Sequence, residues 1–434
     1  MKVVRKLALF DTTNKMTVAF DVSKKSLNYY SETKGKLSAT SCREVQSIED
    51  SIQNRTDTIR DALEQLKKYS SAEGFDGLHV VCESTGVYSE SLLRIAHKQQ
   101  CSTAYVSGEH VYKAKVIESN DTGKDDIKDP RVIFMLSRMG KEQQYRQLPA
   151  EYQQLRELNR IYDETERRCT EMKCEIHPLI KRLFCDYPMA KDFIYDIAGQ
   201  SLMKHFRFNP YRIAAVGFKT FSTTVRRNAP RVQEKTLRRL YEAAQMSSYH
   251  SQSPQYIEIL EMRLRYLYDD YQAADRRRST IVQLIEQATI RLHNAAELMP
   301  QPDPRVFKLF RIGRILGETG PLKDFSNYRL LFKYSGMNLR KRESGQFKGR
   351  LKMSKKGRSC MRGVLGKMVF GLIRKKELYG PYYHRRKTEK IPGQKLIAMI
   401  ERKLLRLFFA LGRRKEAFDQ QRFQCCESQF KLAA

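Results

Sequence analysis

Four carboxylates stand out in a chain whose overall charge is strongly positive. Asp21 ends the apolar run VAF, Glu83 follows the run LHVVC, and Asp126 and Asp129 lie three residues apart in KDDIKD. The chain has 81 Lys plus Arg against 49 Asp plus Glu, a formal net charge of +32. A surface that holds polyanions has little use for carboxylates, except to bind a divalent cation against phosphate oxygens. The four acids therefore predict a Mg²⁺ site and chemistry on nucleic acid.

Each of these acids, taken alone, also has a simpler structural interpretation. An Asp at the end of a strand more often caps a turn or a helix. Asp129 before Pro130 has the form of a helix N-cap followed by proline, and Glu83 could cap the helix after it. Asp126 and Asp129 share a face only if their segment is helical. The order of the four along the chain, strand Asp, strand Glu and a D-x-x-D pair, is what favours a metal site.

A second group of residues with a chemical use is a basic segment near the C-terminus. Between Arg340 and Lys387 the chain has seventeen Lys or Arg and only two acids. Basic side chains gain affinity by displacing counterions from phosphates, and the interleaved Tyr379, Tyr382 and Tyr383 are predicted to stack on unpaired bases. A single charge run is more often a solvated helical surface, but the length and bias of this one favour nucleic-acid contact.

The composition narrows the class of protein further. A pI near 9.8 indicates nucleic acid as the partner, with an anionic membrane surface as the weaker alternative. The sequence has no run of eighteen apolar residues and no signal-peptide cleavage site, so neither a membrane span nor secretion is expected. Nine scattered cysteines lack the spacing of a disulfide framework or a zinc site, which favours a reducing cytoplasm.

Asp21 and Glu83 lie in a part of the sequence where predicted strands alternate with predicted helices. This alternation is typical of an α/β layer architecture. In such sheets ligands bind at the carboxyl ends of the strands, where Asp21 and Glu83 both lie. The pattern predicts strands over 16–22, 27–32, 78–82 and 103–106, and helices over 48–69 and 87–99.

The pattern changes near residue 150, where glycine disappears and helical periodicity takes over. Residues 150–187 and 254–298 are predicted to form long helices typical of a coiled-coil arm, with a small helical cap over 208–246 between them. Glycine returns at Gly313, in a compact final segment. We therefore expect three domains: an α/β domain over 1–145, a helical coiled-coil and dimerisation region over 146–300, and a mostly α-helical domain over 301–434.

The acids and their neighbours resemble the DEDD transposases of bacterial insertion sequences, the IS one-ten family, which includes the pilin-gene inverting recombinase. The matching stretches are FDVSKKSL, ESTGVY and GKDDIKDPRV, against the family patterns D-V-S-K, E-x-T-G and K-x-D-x-x-D-A. The chain departs at Pro130, where the family has alanine. The stretch RIGRILGETGPLKDFSNYRLLFKYSGMNLRKRESGQFKGRLKMSKKGRSCMR is similar to the second domain of that family, although its usual P-G-I-G start is eroded.

The resemblance implies a RuvC-like (RNase H-like) N-terminal domain, a coiled-coil dimerisation arm and a C-terminal transposase domain with a catalytic serine. It implies that Asp21, Glu83, Asp126 and Asp129 bind Mg²⁺. The position that matches the family's nucleophile is Ser344, whose hydroxyl would form a covalent phosphoserine that conserves the bond energy for religation. Positive charge for the transition state would come from four neighbours: Arg340, Lys341, Arg342 and Lys348.

Other interpretations of the serines remain open at this point. From spacing alone, Ser344 before Gly345 is more often an ordinary Ser-Gly turn in a basic loop. Ser335 falls at a small-residue position and is expected to serve packing. Ser354 is expected to cap a helix. The phosphate backbone would be held behind Ser354 by Lys355, Lys356 and Arg358.

Together these features predict a cytoplasmic DNA transposase of an insertion sequence that joins double-stranded donor and target DNA. Some relatives use a structured bridge RNA that pairs with both DNAs, and the resemblance extends that expectation to this chain. Strand exchange requires a homo-oligomer, a dimer or a tetramer. The first alternative is a metal-dependent junction-resolving nuclease that activates water, and the second is a nucleic-acid-binding scaffold in which the acids are caps.

Overall fold

A computed structural model describes residues 14–32, 36–37, 43–44, 47–84, 86–119, 128–249, 252–340, 343–344, 347–349 and 351–423. The chain forms two compact units, Met1–Gln147 and Leu148–Ala434, described in turn below. The division into three domains stays a prediction.

The first unit alternates strands and helices. Its described strands are β1 (Met16–Val22), β2 (Ser26–Glu32), β3 (Lys36–Leu37), β4 (Arg43–Glu44), β5 (Ser47–Gln53), β6 (Leu78–Glu83), β7 (Ser102–Val106) and β8 (Glu142–Gln144). Its described helices are α1 (Thr56–Ala72), α2 (Val87–Lys98), α3 (Gly108–Ser119) and α4 (Lys128–Arg138). The predicted α/β class and the predicted strands β1, β2, β6 and β7 are confirmed.

Six of these strands form a mixed sheet in the order β5-β2-β1-β6-β7-β8. β1, β6 and β7 run parallel to one another, whereas β2, β5 and β8 join as antiparallel partners. Alternate side chains divide between two cores. Phe20 and Cys82 pack on one face with α1 and α2, and Ala19 and Val81 pack on the other with α4. The central strands are buried on both faces, which explains their continuous apolar runs.

The helix predicted over 48–69 is wrong in its first third. Residues 47–53 form the edge strand β5, paired with β2 along its whole length, and α1 begins only at Thr56. Ile48 and Ile52 are spaced as on a helix, yet in the strand they both lie on the sheet face that packs against the core. The ladder with β2 satisfies the backbone polar groups, and this long-range pairing overrides the local period.

A buried polar cluster joins β6, β7 and β8 in the first unit. The two nitrogens of His79 lie 3.0 Å from Glu142 Oε2 and 3.0 Å from Ser102 Oγ, and the Ser137 hydroxyl donates to the same Glu142 oxygen. Burial by itself raises the pKa of Glu142, but the hydrogen bonds from His79 and Ser137 outweigh it, so the pKa is lowered from 4.5. The folded state therefore favours the ionised form of Glu142, and the ionised carboxylate stabilises the first unit.

We expect this cluster to make the first unit sensitive to acid. Because the folded-state pKa of Glu142 is lowered, its stabilisation is present above about pH 4.5 and is lost as the pH falls through the lower value. Glu142→Ala, which leaves His79 and Ser137 without their acceptor, should cost about 2 kcal/mol at pH 7. Hydrogen exchange of the β6 and β7 amides, measured from pH 5 to pH 3, tests both effects. Glu142→Gln, which cannot ionise, should flatten the pH dependence, and an unchanged profile in that variant would contradict the assignment.

The second unit is mostly helical. Its described helices are α5 (Ala150–Leu183), α6 (Ile197–Phe206), α7 (Pro210–Ala214), α8 (Phe218–Asn228), α9 (Glu234–Ser248), α10 (Pro254–Asn294), α11 (Leu309–Thr319), α12 (Tyr328–Tyr334), α13 (Ser359–Leu372), α14 (Gly380–Thr388) and α15 (Gly393–Arg414). Its described strands are β9 (Leu339–Arg340), β10 (Glu343–Ser344), β11 (Phe347–Lys348) and β12 (Lys352–Met353), and 3-10 turns cover Lys191–Tyr195 and Leu322–Asp324.

The long helices α5 and α10 pack against each other in antiparallel orientation. Contacts of Tyr152 with Glu297 at one end and Glu175 with Arg263 further along show the direction. One core, built with α11–α15, covers one end of the pair, and a second core, built with α6–α9, covers the other. The two predicted long helices are confirmed, while their use as a coiled-coil contact between protomers stays a prediction. Among the helices that the structure describes, none has the length and hydrophobicity needed to cross a membrane.

Candidate active site

Asp21 and Glu83 lie side by side at the carboxyl ends of β1 and β6. The parallel register pairs Phe20 with Cys82, so the next residue of each strand carries a carboxylate. Side chains alternate along a strand, and Ala19 and Val81, two residues earlier, are buried on the α4 face of the sheet. Both carboxylates therefore face α4, at the edge where sheets of this class bind ligands.

Asp129 reaches the same place from α4. This helix packs Val132 and Ile133 into the core shared with β1 and β6, and Asp129 lies in its first turn. Burial is the main cause that raises the pKa of Glu83, and the negative charge of Asp129 raises it further. The structure thus brings three of the four predicted acids to one face of the sheet. Asp126 lies outside the described residues.

A cation on α3 partly compensates this negative charge. The ammonium of Lys115 donates a hydrogen bond to Asp129 Oδ2 at 2.8 Å and lies 2.5 Å from Oδ1 without hydrogen-bond geometry. Both side chains are about four-fifths buried. The charge of Lys115 also lowers the pKa of Glu83, against the larger effect of burial. Sequence reasoning missed Lys115, because nothing in VYKAKV marks it as different from a surface lysine.

The alternative that Glu83 caps α2 is wrong. The residue at the N-cap of α2 is Gly86, which has no side chain to cap the helix. Glu83 instead lies against Gly108, the first residue of α3, where an added Cβ would stand 2.5 Å from Glu83 Oε1. The space beside Gly108 holds the carboxylate at a helix N-terminus, where the helix dipole favours an anion. Asp129 is not an N-cap either, since α4 begins one residue earlier at Lys128.

The donor chemistry of this face fits a divalent cation. Carboxylate oxygens are the ligands that Mg²⁺ prefers, and the effect of Asp129 on the pKa of Glu83 shows negative charge that a cation would relieve. In the part of the chain that the structure describes, no cluster of three or more His, Cys, Asp or Glu is close enough to hold a metal ion. The described residues therefore supply part of a site.

The candidate nucleophile Ser344 lies on a β-hairpin of the second unit. The backbone of β10 pairs with β11, with Ser344 opposite Phe347 and Glu343 opposite Lys348. Closer to the body of the unit, β9 pairs with β12, with Arg340 opposite Lys352. Arg340 is exposed, and Lys341 and Arg342 lie outside the described residues.

The root of this hairpin is held by close contact between two backbone segments. The amides of Lys355 and Arg358 donate to the carbonyls of Gly336 and Tyr334, each at 2.9 Å. At Gly357, where φ is +151°, an added Cβ would lie 2.4 Å from the nitrogen of Gly336 and 2.5 Å from the carbonyl oxygen of Tyr334. Only glycine allows this approach, so the segment that leads into the hairpin leaves the core in a defined direction.

A buried ion pair anchors the same root to the long helix α5. Glu318 on α11 accepts hydrogen bonds from Arg358 Nε at 2.6 Å and from Asn159 Nδ2 of α5 at 3.2 Å. Arg156 of α5 donates to the carbonyls of Gly317 and Glu318. The guanidinium of Arg358 is therefore used inside the fold, which differs from the expectation that it anchors a phosphate.

Two further expectations for this region are corrected. Ser354 does not cap α13, whose N-cap is Arg358; its hydroxyl accepts a hydrogen bond from the amide of Lys356 and closes a turn. Lys355 and Lys356 are exposed on that turn, and their contact with phosphates stays a prediction.

Tyr379 and Tyr382 are buried in the core and have no face free for unpaired bases. Large aromatic side chains contribute much apolar area to a core, and the sequence pattern did not show that these two are used in this way.

Loss of the Glu318 carboxylate should be among the most destabilising changes in the second unit. Glu318→Ala would leave the half-buried Arg358 without its counter-charge and should cost about 3 kcal/mol. Glu318→Gln keeps the hydrogen bond to Asn159 and should cost less. Urea unfolding of the full chain, followed by circular dichroism, measures both. Equal stability of Glu318→Ala and the unaltered chain would show that the ion pair contributes nothing.

Comparison with known proteins gives the class. A family model described as "Transposase", the DEDD type of IS110 elements, matches residues 37–185, and the model "Transposase IS116/IS110/IS902 family" matches residues 310–384. The chain is thus a DNA transposase, an enzyme that moves an insertion sequence and acts on DNA. The two matches together cover just over half of the 434 residues, and the chain belongs to the IS110 (IS one-ten) family.

Solved structures give weaker likenesses. Thermus thermophilus RuvC is 12% identical, with 30% of this chain and 99% of that chain covered, at a TM-score of 0.22. The same protein in complex with Holliday junction substrate is 8% identical over the same shares, at a TM-score of 0.20. A Ppx/GppA family member from Aquifex aeolicus is 11% identical, with 58% and 90% covered and a TM-score of 0.19. No curated protein matches the chain significantly.

Proposed function

We propose that this transposase cuts and rejoins DNA strands through a covalent phosphoserine at Ser344. The carboxylates Asp21, Glu83, Asp126 and Asp129 would hold Mg²⁺. The observation that carries the proposal is the convergence of Asp21, Glu83 and Asp129 on one face of the sheet, at its ligand-binding edge. The mixed α/β sheet of the first unit supports the RuvC-like fold that the family resemblance implies.

The chemistry assigned to each residue follows from its type. The hydroxyl oxygen of Ser344 would form a bond to phosphorus while one P–O bond to deoxyribose breaks, and the leaving sugar oxygen takes up a proton. Attack by a sugar hydroxyl of the partner strand would reverse this step, so the phosphodiester energy is conserved. When bound, Mg²⁺ would neutralise charge on the phosphate oxygens. Exposed Arg340, together with its neighbours in sequence Lys341, Arg342 and Lys348, would add positive charge.

Mass spectrometry of the trapped intermediate tests this proposal directly. The protein is incubated with DNA that carries the insertion ends and Mg²⁺, then denatured, and the DNA-linked peptide is sequenced. The expected result is a phosphodiester on Ser344. Cleavage without any protein–DNA adduct would support the alternative, a junction-resolving nuclease in which the carboxylate face alone activates water.

We further propose that a structured bridge RNA guides the choice of donor and target DNA and that the active form is a homo-oligomer. The net charge of +32 supports binding of more than one polyanion. The long α5–α10 pair supports a role in contacts between protomers, because large apolar side chains of α10 such as Ile259, Met262 and Tyr266 are exposed. Sequencing of RNA that co-purifies with the protein, and its mass in solution, test the two parts separately.

A further inference from the structure

The packing of α12 against α15 creates a basic surface that the sequence patterns did not single out. It lies outside the hairpin that carries Ser344. We call it the α12–α15 face and define it by four side chains: Arg329, Lys333, Arg402 and Arg406.

The two arginines of α15 are held in place by aromatic rings of α12. The guanidinium carbon of Arg402 lies 4.9 Å from the ring centre of Phe332, and that of Arg406 lies 4.9 Å from the ring centre of Tyr328. The two rings contact each other edge to face, with centres 5.5 Å apart. Residues four apart on a helix lie about 6 Å apart along its axis and on the same side, so Arg402 and Arg406 leave α15 from one face.

No acid neutralises these arginines in the described part of the chain. Neither Arg402 nor Arg406 forms an ion pair with a described carboxylate, in contrast to three arginines of α5 and α9: Arg160, Arg167 and Arg238. The hydrogen bond from Arg329 and the charges of Arg406 and Arg402 lower the pKa of Tyr328, which shows a positive local potential. Lys333 and Arg329 are exposed beside them.

We propose that the α12–α15 face binds the phosphate backbone of double-stranded DNA. A guanidinium presents a planar fork of donors that matches phosphate oxygens, and stacking on a ring fixes its orientation before binding. Guanidinium groups already cover one face of Phe332 and one face of Tyr328, and Phe332 is buried, which disfavours base stacking as in single-strand binding. The arrangement therefore favours contact with the backbone of a duplex, and duplex DNA is the substrate class of a transposase. The proposal does not depend on the phosphoserine.

Salt-dependent binding to a duplex provides the test. The full-length Arg402→Gln/Arg406→Gln variant and the unaltered chain are titrated with fluorescent duplex DNA from 50 to 200 mM NaCl. Two lost phosphate contacts should lower the slope of log K against log salt by about two and weaken binding at least about tenfold at low salt. The matched control is Arg160→Gln/Arg167→Gln, which removes the same charge from arginines paired with glutamates on α5 and should change binding much less.

Two further variants keep the test decisive. Arg402→Lys/Arg406→Lys retains the charge and should keep most of the salt slope. If the glutamine variant fails to fold, Arg329→Gln/Lys333→Gln changes only exposed side chains of α12 and should lower the slope in the same way. Unchanged duplex binding in a folded variant would overturn the proposal. It would also be overturned if binding to a structured RNA fell while duplex binding held, because the face would then belong to RNA.

Discussion

Replacement of Ser344 by alanine is expected to abolish both strand cleavage and the covalent protein–DNA adduct. An alanine has no atom that can bond to phosphorus, so the loss should be about 10⁴-fold or more. The change removes a single oxygen from one residue of the short strand β10, whose backbone pairing with β11 does not involve the side chain, so we expect the variant to fold. Denaturing gels that separate free DNA, joined DNA and DNA bound covalently to protein measure the three outcomes in a single reaction.

Ser354→Ala is the matched control for this experiment. Ser354 lies at the base of the same hairpin in the same basic segment, but its hydroxyl is buried and accepts the amide hydrogen of Lys356. Its loss should change activity only a few-fold through the turn that it closes. If Ser344→Ala still cleaved at the normal rate, the carboxylates would be activating water, and the nuclease alternative would hold. If Ser354→Ala lost the adduct instead, the nucleophile would have been assigned to the wrong serine.

The position of Ser344 depends on contacts that local sequence patterns do not contain. The Lys- and Gly-rich sequence predicted a basic stretch. It did not predict the close approach of Gly357 to Gly336, because these residues are more than twenty positions apart. The ion pair of Glu318 with Arg358, forty positions apart, is likewise invisible to any periodicity. Such contacts are set by how helices pack, and side-chain type alone does not reveal them.

The positions of Asp21 and Glu83 at one edge of the sheet were more predictable, for a physical reason. The runs VAF and LHVVC are continuous because β1 and β6 are buried on both faces, and a polar residue directly after such a run must lie at the end of its strand. Parallel strands then bring their ends to the same edge, so Asp21 and Glu83 follow from the sequence. Lys115 does not, because a helical lysine gives no signal of which side chain it will meet. The edge strand β5 was not predicted, because the spacing of Ile48 and Ile52 fits a helix as well as a strand.

The ion pair between Lys115 and Asp129 has a consequence for metal binding. In the described structure the ammonium donates a hydrogen bond to Oδ2 of that carboxylate and lies within 2.5 Å of Oδ1. A cation that binds Asp129 must displace Lys115 or share the carboxylate with it, and the apparent affinity for metal is lowered by the free energy of that exchange. Glu83 faces no such competitor among the pairs described here, and the burial that raises its pKa favours any partner that restores its charge balance. Of these two carboxylates, Glu83 is therefore the one whose loss should affect metal binding more.

Replacement of Glu83 by glutamine is expected to reduce strand cleavage by about 10³-fold or more and to weaken Mg²⁺ binding. Glutamine keeps the shape of the side chain beside Gly108 but removes the charge that a hard cation requires. Activity alone would not separate a metal ligand from a structural residue. The decisive measurement is therefore the thermal midpoint of the free protein at increasing Mg²⁺, since a ligand that binds only the folded state stabilises it by mass action.

The unaltered chain should become more stable as Mg²⁺ rises, whereas Glu83→Gln should respond only at much higher concentration. Glu109→Gln is the matched control. It removes the same charge one residue beyond Gly108, from an exposed side chain that pairs with Lys113, and it should respond to Mg²⁺ as the unaltered chain does. Calcium, which has the same charge but a larger radius and looser geometry, distinguishes a site shaped for Mg²⁺ from general screening. An equal response of Glu83→Gln and Glu109→Gln would mean that the cation binds away from this sheet edge, and the carboxylates would then be capping and packing residues.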